Sequence, residues 1–351
     1  MSVEKFFIPM ITSTVNMQYR LCKGGRMLRY ILKRILYMIP VMFGVIVVVF
    51  LMKMITPGDP VDHLLPANAS VEQKEAMRDK LGLNDPIIKQ FGDYVIGVVT
   101  RGDLGTSYAT KQSVAGEIFG RLPKTVFIAV WAIFISQIFA TPLGILAAVK
   151  QNSLVDSIIV VFTMVGASLP NFWLALMLIR WFAVDLKVLP SMYNGTAASW
   201  ILPIITVSFQ SIAMTTRGVR TNMLEVIRQD YIKTARAKGQ KESIVVFNHA
   251  FRNTLIPVVA GIGSGLAGMI GGSLIVETVF AVPGVGKYVA DAVTARNYPS
   301  LQGGIIVLAL IGTVINMIVD IMYTVVDPRL KTTLLAPSSR KNKTKVAKEG
   351  A

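Results

Sequence analysis

Six long runs without a charged side chain restrict the fold of this chain more than any other feature. They cover residues 35–52, 125–149, 157–179, 188–216, 253–276 and 297–319. A helix needs about 20 residues to cross the hydrocarbon core of a bilayer, and most of these runs reach that length. We therefore predict an all-α membrane protein with six transmembrane helices.

Composition agrees with a membrane location and excludes several other classes. Only 16% of the residues are charged, against about 25% in ordinary soluble domains. The net charge is +16, but the basic residues flank the apolar runs, so we expect no nucleic-acid partner. A single cysteine, Cys22, excludes an intramolecular disulfide. The two histidines, His63 and His249, fall in different loops, so no metal site is expected.

The placement of Lys and Arg predicts the orientation, because cytoplasmic loops carry an excess of these residues. If the N-terminus lies inside, the inside segments hold 23 of the 36 Lys and Arg residues. We therefore predict that both termini and the loop at 217–252 are cytoplasmic.

The runs and their connections divide the chain into five regions. These are an N-terminal extension at 1–26, a first transmembrane helix at 27–55, a large extracytoplasmic loop at 56–124, a five-helix core at 125–330, and a disordered basic tail at 331–351. The loop between helices 1 and 2 contains a capping box at Ser70 and Gln73, which predicts a helix start. A second helix of this loop should present an apolar face made of Phe91, Tyr94, Val95 and Val98. The tail is expected to be solvated or to lie on anionic lipid.

The longest polar interruption of the second half runs from Arg217 to Pro257 and holds eight basic and three acidic residues. Apolar residues recur in it at helical spacing, so one face is predicted to be apolar. These residues are Met223, Leu224, Ile227 and Tyr231. Ala235 and Ala237 are small enough for close contact with another surface, and Gly239 accepts the positive φ of many helix ends. We expect this stretch to dock on a partner; a plain positive-inside anchor is the alternative.

This stretch resembles the EAA loop of ABC importer permeases, and most closely that of the peptide and nickel subgroup. The resemblance implies that the loop couples to a separate ATPase. The matching residues are Asp230, Tyr231, Ala235, Arg236, Ala237, Lys238, Gly239, His249, Arg252 and Asn253. Lys233 stands where many permeases have glutamate, as is usual in the peptide subgroup. Motifs in the large loop, such as Gly58-Asp59-Pro60, extend the resemblance from residue 27 to about residue 330.

The resemblance implies a type I ABC importer permease in a bacterial inner membrane, serving di- and oligopeptides. The implied partners are two ATPase subunits, an extracytoplasmic substrate-binding protein and a second permease, expected to be a paralogue. The chain has no Walker A loop, so ATP is expected to be bound by the partners and no cofactor or catalytic residue is assigned here. In the expected mechanism, ATP binding moves the coupling loop and rocks the spans between two states.

Three alternatives remain open on the sequence. A nickel or other small-solute importer shares these loops, although no cluster of His or carboxylate ligands is apparent. A secondary transporter would need intramembrane acids or paired broken helices, and neither is clear. A receptor or assembly anchor would bind a ligand outside without transport.

Few ionisable residues fall within or beside the predicted spans. Arg180 and Asp185 are expected at the membrane interface, and Asp320 is expected to make a structural hydrogen bond or ion pair. The glycines of 261–268 predict helix packing, and Pro170 predicts a kink or the start of a helical segment. Residues that line a substrate path are not predictable, because the rotation of each helix is unknown.

Overall fold

The computed structural model describes residues 31–326, apart from 53, 55–60, 62–64 and 67. The predicted extension at 1–26 and tail at 331–351 lie outside the described residues. The chain divides into two compact units, Met1–Val41 with Met317–Ala351, and Met42–Asn316. Within the first unit, Arg34 Nη1 lies 2.6 Å from Asp320 Oδ2, which confirms the predicted ion pair of Asp320.

The described residues form helices and contain no β-strand. The bounds are α1 Ile31–Met52, α2 Val71–Lys80, α3 Ile87–Ile96, α4 Val114–Val149, α5 Leu154–Ser168, α6 Asn171–Leu178, α7 Ile201–Ile227, α8 Asp230–Ala237, α9 Arg252–Val279, α10 Val285–Thr294 and α11 Tyr298–Val326. Turns of π-helix extend α3 and α6 and precede α9, at Gly97–Arg101, Ile179–Asp185 and Val245–Phe251.

Five helical segments of the described chain are long and apolar enough to cross a membrane, and α5 with α6 makes a sixth only as a pair. This pair is bent by 101°, so the third predicted span at 157–179 is not one straight helix. Pro170 occupies the N-cap of α6, at the bend. Proline disfavours helical geometry at the preceding residue, which explains the break. The predicted all-α membrane fold with six spans is confirmed when the bent pair is counted as one crossing.

The fourth uncharged run, 188–216, starts with a loop around Pro190, Asn194 and Gly195, as predicted, but its helix ends later than the run does. A 3₁₀ turn at Ala197–Trp200 leads into α7, and α7 then continues to Ile227, well beyond the last uncharged residue. Val219 and Met223 lie on the buried side of this extension, one helical turn apart. The helix therefore continues past the apolar run because its inner face still packs against neighbouring helices.

The segment between α1 and α4 contains the two helices expected from the sequence. Ser70 Oγ accepts a hydrogen bond from Gln73 N at 3.2 Å, and Gln73 Oε1 accepts one from Ser70 N at 3.0 Å, which completes the predicted capping box of α2. The predicted apolar face of α3 packs against a core cluster that includes Ile46, Val114 and Val285. These local helix predictions are confirmed.

Glu277, near the C-terminus of α9 and one residue beyond the fifth uncharged run, is fully buried. Its Oε1 accepts a hydrogen bond from Ser273 Oγ at 2.9 Å, and its Oε2 accepts one from the backbone N–H of Lys287 at 3.0 Å. Lys287 lies in the first turn of α10, where backbone N–H groups have no partner within the helix. The carboxylate thus fixes the start of α10 against the end of α9.

Two glycines allow this close approach of α10 to α9. A Cβ on Gly284 would collide with the Glu277 carboxylate, and a Cβ on Gly286 would lie 2.6 Å from Leu274 Cα. Real Cβ contacts are not that short, so a larger residue at either position would force the backbone of the two helices apart.

Gly286→Ala should lower the free energy of unfolding by about 1–3 kcal/mol, as overpacking of a well-packed core usually does. The backbone of Leu274 cannot move aside as a flexible side chain would. The matched control is Gly312→Ala in α11, where a Cβ meets nothing within 4 Å. Thermal unfolding in detergent should show a lower stability for Gly286→Ala than for Gly312→Ala. An equal loss of stability in both variants would contradict this account.

Candidate functional site

The connection between α7 and α9 is the first candidate site, and we call residues 228–251 the coupling segment. Its helix α8 buries Ile232 completely and leaves Ala235 only 8% exposed. These side chains belong to a buried group, here called the coupling cluster, which contains Ile145, Ala148, Val219, Met223, Ile232, Ala235, Val245, Val246, Ala250 and Val258. The cluster joins α8 to the ends of α4, α7 and α9.

The structure places most of the residues predicted for coupling on the surface of this segment and of the first turn of α9. The exposed ones are Asp230, Tyr231, Arg236, Ala237, Lys238, Gly239, Arg252 and Asn253, whereas His249 is half-buried. Ala235 is different, since it packs into the coupling cluster of its own chain. The cluster therefore leaves the exposed residues, without Ala235, as the surface that can meet a partner.

Tyr231 does not continue the apolar face that was predicted through Met223, Leu224 and Ile227. Its side chain is 46% exposed, and Ile232 takes the inward position. The reason is a break between α7 and α8 at 228–229, where Gln229 adopts an extended backbone conformation. The helical register restarts after the break, so the spacing across it no longer predicts which side faces inward.

Gly239 ends α8 in the left-handed conformation predicted for it, with φ of 73°. Its N–H donates to Arg236 O at 2.9 Å, and the N–H of Gln240 donates to Ala235 O at 3.4 Å. This pair of bonds is the Schellman arrangement, which satisfies the last carbonyls of a helix. A Cβ at Gly239 would meet nothing within 4 Å, so the constraint on this residue is its backbone conformation alone.

An exposed ion pair lies at each end of α8. Arg236 donates to Glu242 through Nε at 3.1 Å and Nη2 at 2.6 Å, and this contact lowers the pKa of the Glu242 carboxyl. Lys233 Nζ donates to Asp230 Oδ1 at 2.9 Å and lowers the pKa of that carboxyl. Both pairs are largely exposed, so each contributes little to stability. They hold side chains in place on the surface of the segment.

His249 connects the return of the coupling segment to its turn. His249 Nε2 lies 2.7 Å from Gln240 Oε1, next to Gly239. Asn253 Nδ2 donates to the backbone oxygen of His249 at 2.6 Å, at the start of α9. The two predicted residues His249 and Asn253 are therefore brought together with the end of α8.

A buried ion pair that the sequence did not reveal braces the same end of α7. Arg220 donates to Asp156 through Nε at 2.7 Å and Nη2 at 2.8 Å, and Asp156 also accepts from Asn152 N at 3.0 Å. The Asp156 side chain is only 5% exposed. The pair links the first turn of α5 to α7. Its partners are too far apart in the chain for any spacing rule to connect them.

The second candidate site is a groove between α7 and α9, with Asn171 of α6 also in its lining, which we call the glycine groove. Its volume is about 550 Å³. It is lined by Asn171, Val207, Gln210, Ser211, Met214, Thr215, Gly218, Val219, Asn222, Pro257, Val258, Gly261, Ser264, Gly265, Gly268, Met269 and Gly272. None of these lining residues carries a charge, and uncharged polar side chains of α7 face the glycines of α9.

The glycines of 261–268 only partly fulfil the predicted role in helix packing. A Cβ at Gly265 would lie 3.3 Å from Ile133 Cδ1, so this glycine does allow close contact with α4. At Gly261, Gly268 and Gly272 a Cβ would meet nothing within 4 Å. These three glycines therefore widen the groove instead of packing helices of this chain together.

Neither site contains a candidate metal centre. Across the described ranges, no group of three or more His, Cys, Asp or Glu side chains is arranged to hold an ion. The arrangement instead offers an exposed helical surface at one place and an uncharged groove at another, and both are built on α7 and α9.

Comparisons with known proteins give one consistent family. Residues 140–332 match the family of binding-protein-dependent transport system inner membrane components, and residues 27–129 match the N-terminal part of such components. A dipeptide transport system permease protein of Alkalihalophilus pseudofirmus is 36% identical over 333 residues, covering 87% of this chain and 100% of the relative. A glutathione transport system permease protein of Escherichia coli O6:H1 is 37% identical over 305 residues, covering 87% and 99%.

Arg220→Gln should destabilise the protein by about 1–3 kcal/mol, because it leaves the Asp156 carboxylate, only 5% exposed, without its counter-ion. The double variant Arg220→Met with Asp156→Leu should lose less than this single variant, since no charge is left buried. Unfolding in detergent measures both. A double variant that is less stable than Arg220→Gln would show that the pair itself is the stabilising element.

Proposed function

The chain belongs to the family of binding-protein-dependent transport system inner membrane components, and from this premise we propose that it is the permease subunit of an ATP-driven importer for di- and oligopeptides. The family has the type I ABC importer permease architecture, which agrees with the helical fold described above. The names of the relatives, a dipeptide and a glutathione permease, support a peptide as substrate.

The observation that carries the proposal is the attachment of α8 to both α7 and α9 through the coupling cluster. Val219 and Val258 belong to this cluster and also line the glycine groove. A force applied to the exposed face of α8 therefore reaches both walls of the groove through packed side chains. Packed interiors transmit displacement because they have few voids to absorb it.

The proposed mechanism uses this connection as a lever. The exposed face of the coupling segment, with Tyr231 and Lys238, docks on an ATPase subunit. Binding of ATP changes the position of α8, and the coupling cluster moves the ends of α7 and α9 with it. The spans then shift between inward-open and outward-open arrangements, a two-state equilibrium that the ATPase biases.

The family implies an ATPase, a substrate-binding protein and a second permease as partners. We propose two ATPase subunits, which bind the ATP, and a paralogue as the second permease. We further propose that this chain hydrolyses no ATP and binds no cofactor. Both termini and the coupling segment are assigned to the cytoplasm, and the segment between α1 and α4 to the outer face, on the distribution of Lys and Arg.

The alternatives have less support than the peptide importer. A nickel site would need imidazole or carboxylate ligands, and no such group is found among the described residues. A secondary transporter would use intramembrane acids as proton or ion sites. The buried acids found here, Asp156 and Glu277, already accept hydrogen bonds from the chain itself, and neither lines the groove.

Purification of the tagged protein from its native membrane in mild detergent tests the proposal directly. We expect an ATPase and a second permease to copurify, and the reconstituted assembly to import dipeptides when its binding protein and ATP are supplied. Peptide uptake that follows an ion gradient without ATP would overturn the importer and favour a secondary transporter.

Gly239→Val should weaken the attachment of the ATPase and reduce uptake at least tenfold, because a β-branched residue does not readily adopt a φ of 73°. The matched control is Gly239→Asn, since asparagine tolerates the left-handed conformation. Both variants are measured by the amount of ATPase that copurifies and by peptide uptake. Normal values for Gly239→Val at normal protein level would remove the coupling segment from the mechanism.

A further inference from the structure

Resting on the proposed function, we infer that the glycine groove is this chain's share of the substrate path, and that it holds a peptide by its main chain. The groove has about 550 Å³ of space, within the range of about 300–1,000 Å³ typical of ligand pockets. Three features of its lining indicate this ligand class: the polar wall, the glycine wall and the absence of charge.

The polar wall follows one face of α7. Ser211, Thr215, Gly218 and Asn222 are spaced by four, three and four residues, which keeps them in line along the helix. From Val207 to Asn222 the lining extends over roughly 22 Å at the rise of an α-helix. Amide and hydroxyl groups both donate and accept hydrogen bonds, as the N–H and C=O groups of a peptide require. Ser211 Oγ already accepts a hydrogen bond from Ser136 Oγ at 2.9 Å, which leaves its own hydroxyl proton to donate. With this donor, Thr215 and Asn222, the wall offers partners to an extended main chain.

The glycine wall of α9 leaves room for side chains of different sizes. Gly261, Gly268 and Gly272 have open space where a Cβ would stand. A peptide held by its main chain on α7 would direct side chains toward this open wall. The width of the groove at these glycines then limits the size of the side chains that pass.

Because its lining carries no charge, the groove should accept acidic, basic and neutral peptides alike. A fixed carboxylate or ammonium in a site of low dielectric would attract one class of peptides and repel another. The lining instead contains no Asp, Glu, Lys, Arg or His, so it also lacks strong ligands for a metal ion. This composition fits a shared feature of all peptides, which is the main chain.

Asn171 adds a polar side chain from α6 to the lining of the groove. Its Oδ1 is buried and has no hydrogen-bond partner in the described structure. It lies in the first turn of α6, just after the 101° break. A buried acceptor left unpaired costs about 1–3 kcal/mol, and an N–H of a passing peptide can satisfy it.

Paired variants in the reconstituted complex test this inference. Thr215→Val removes a hydroxyl from the polar wall, and Thr216→Val removes a buried hydroxyl without a partner from the neighbouring residue. Gly268→Val narrows the groove, whereas Gly271→Val places the same side chain in open space on α9 outside the lining. The readouts are uptake of a labelled dipeptide and ATP hydrolysis stimulated by the binding protein.

We expect Thr215→Val to lower uptake about fivefold, the effect of one lost hydrogen bond, and Thr216→Val to leave it unchanged. Gly268→Val should reduce uptake of a peptide with large side chains more than that of dialanine, and Gly271→Val should affect both equally little. Stimulated ATP hydrolysis should be kept in all four variants, because none of them touches the coupling segment.

Gln210→Glu tests whether passage through the groove is independent of the charge of the peptide. This variant should lower the uptake of a peptide with an acidic side chain relative to that of a neutral peptide. The uptake of a peptide with a basic side chain should not fall. The uptake of each peptide by the variant is divided by its uptake by the unaltered complex. This ratio removes the preferences of the binding protein. Equal ratios for the three peptides would place the ligand elsewhere.

Failure of this inference is distinguishable from failure of the proposed function. If the unaltered complex imports no peptide, the proposed function is wrong. If it imports peptide and Thr215→Val and Gly268→Val match their controls, the function stands and the groove is not the path. Loss of the copurifying second permease in Gly268→Val, together with equal uptake by Thr215→Val and Thr216→Val, would identify the groove as a subunit interface and overturn the inference.

Discussion

Burial of one face of α8 is the interaction on which both candidate sites depend. Ile232 and Ala235 enter a cluster shared with α4, α7 and α9, so a helix of eight residues, too short to be stable alone, is held in a fixed position. The same burial determines which side of α8 remains for a partner. It also makes Val219 and Val258 common to the cluster and the groove wall. Removing this apolar contact would free α8 and disconnect the surface from the groove.

The two buried carboxylates of the described helices, Asp156 and Glu277, both have internal partners. Asp156 is neutralised by Arg220, and Glu277 receives N–H donors from the start of α10. Both carboxylates stand at junctions where one helix must be held against another, which gives them a structural role in the described unit. Asn171 Oδ1, in contrast, is buried without a hydrogen-bond partner, and Asn171 lines the groove. An unsatisfied acceptor is unfavourable in a structural position but useful where a ligand passes.

The sequence was sufficient for features that depend on local chemistry. Uncharged runs predicted the spans, Ser70 and Gln73 predicted the cap of α2, and Gly239 predicted a left-handed helix end. Features that depend on packing between distant residues were not predictable. Tyr231 was assigned to the wrong face because a break at Gln229 reset the register, and Asp156 gave no sign of its distant partner Arg220. The groove was not predicted because the sequence does not show whether a glycine such as Gly268 packs against a helix or lines a groove. The rotation of the helix decides between the two.

The uncharged lining of the groove agrees with a path that lets peptides pass without selecting among them. A path must bind its substrate well enough to admit it and weakly enough to release it, a condition that several weak contacts meet better than one strong contact. Uncharged side chains spread along α7 provide contacts of that kind, and no fixed charge is present to hold a peptide by an opposite one. On the proposed function, selection among peptides would fall to the substrate-binding protein. In the mechanism proposed here, movement of α8 would displace Val219 and Val258, which belong to both the coupling cluster and the groove lining, and so change the width between the two walls.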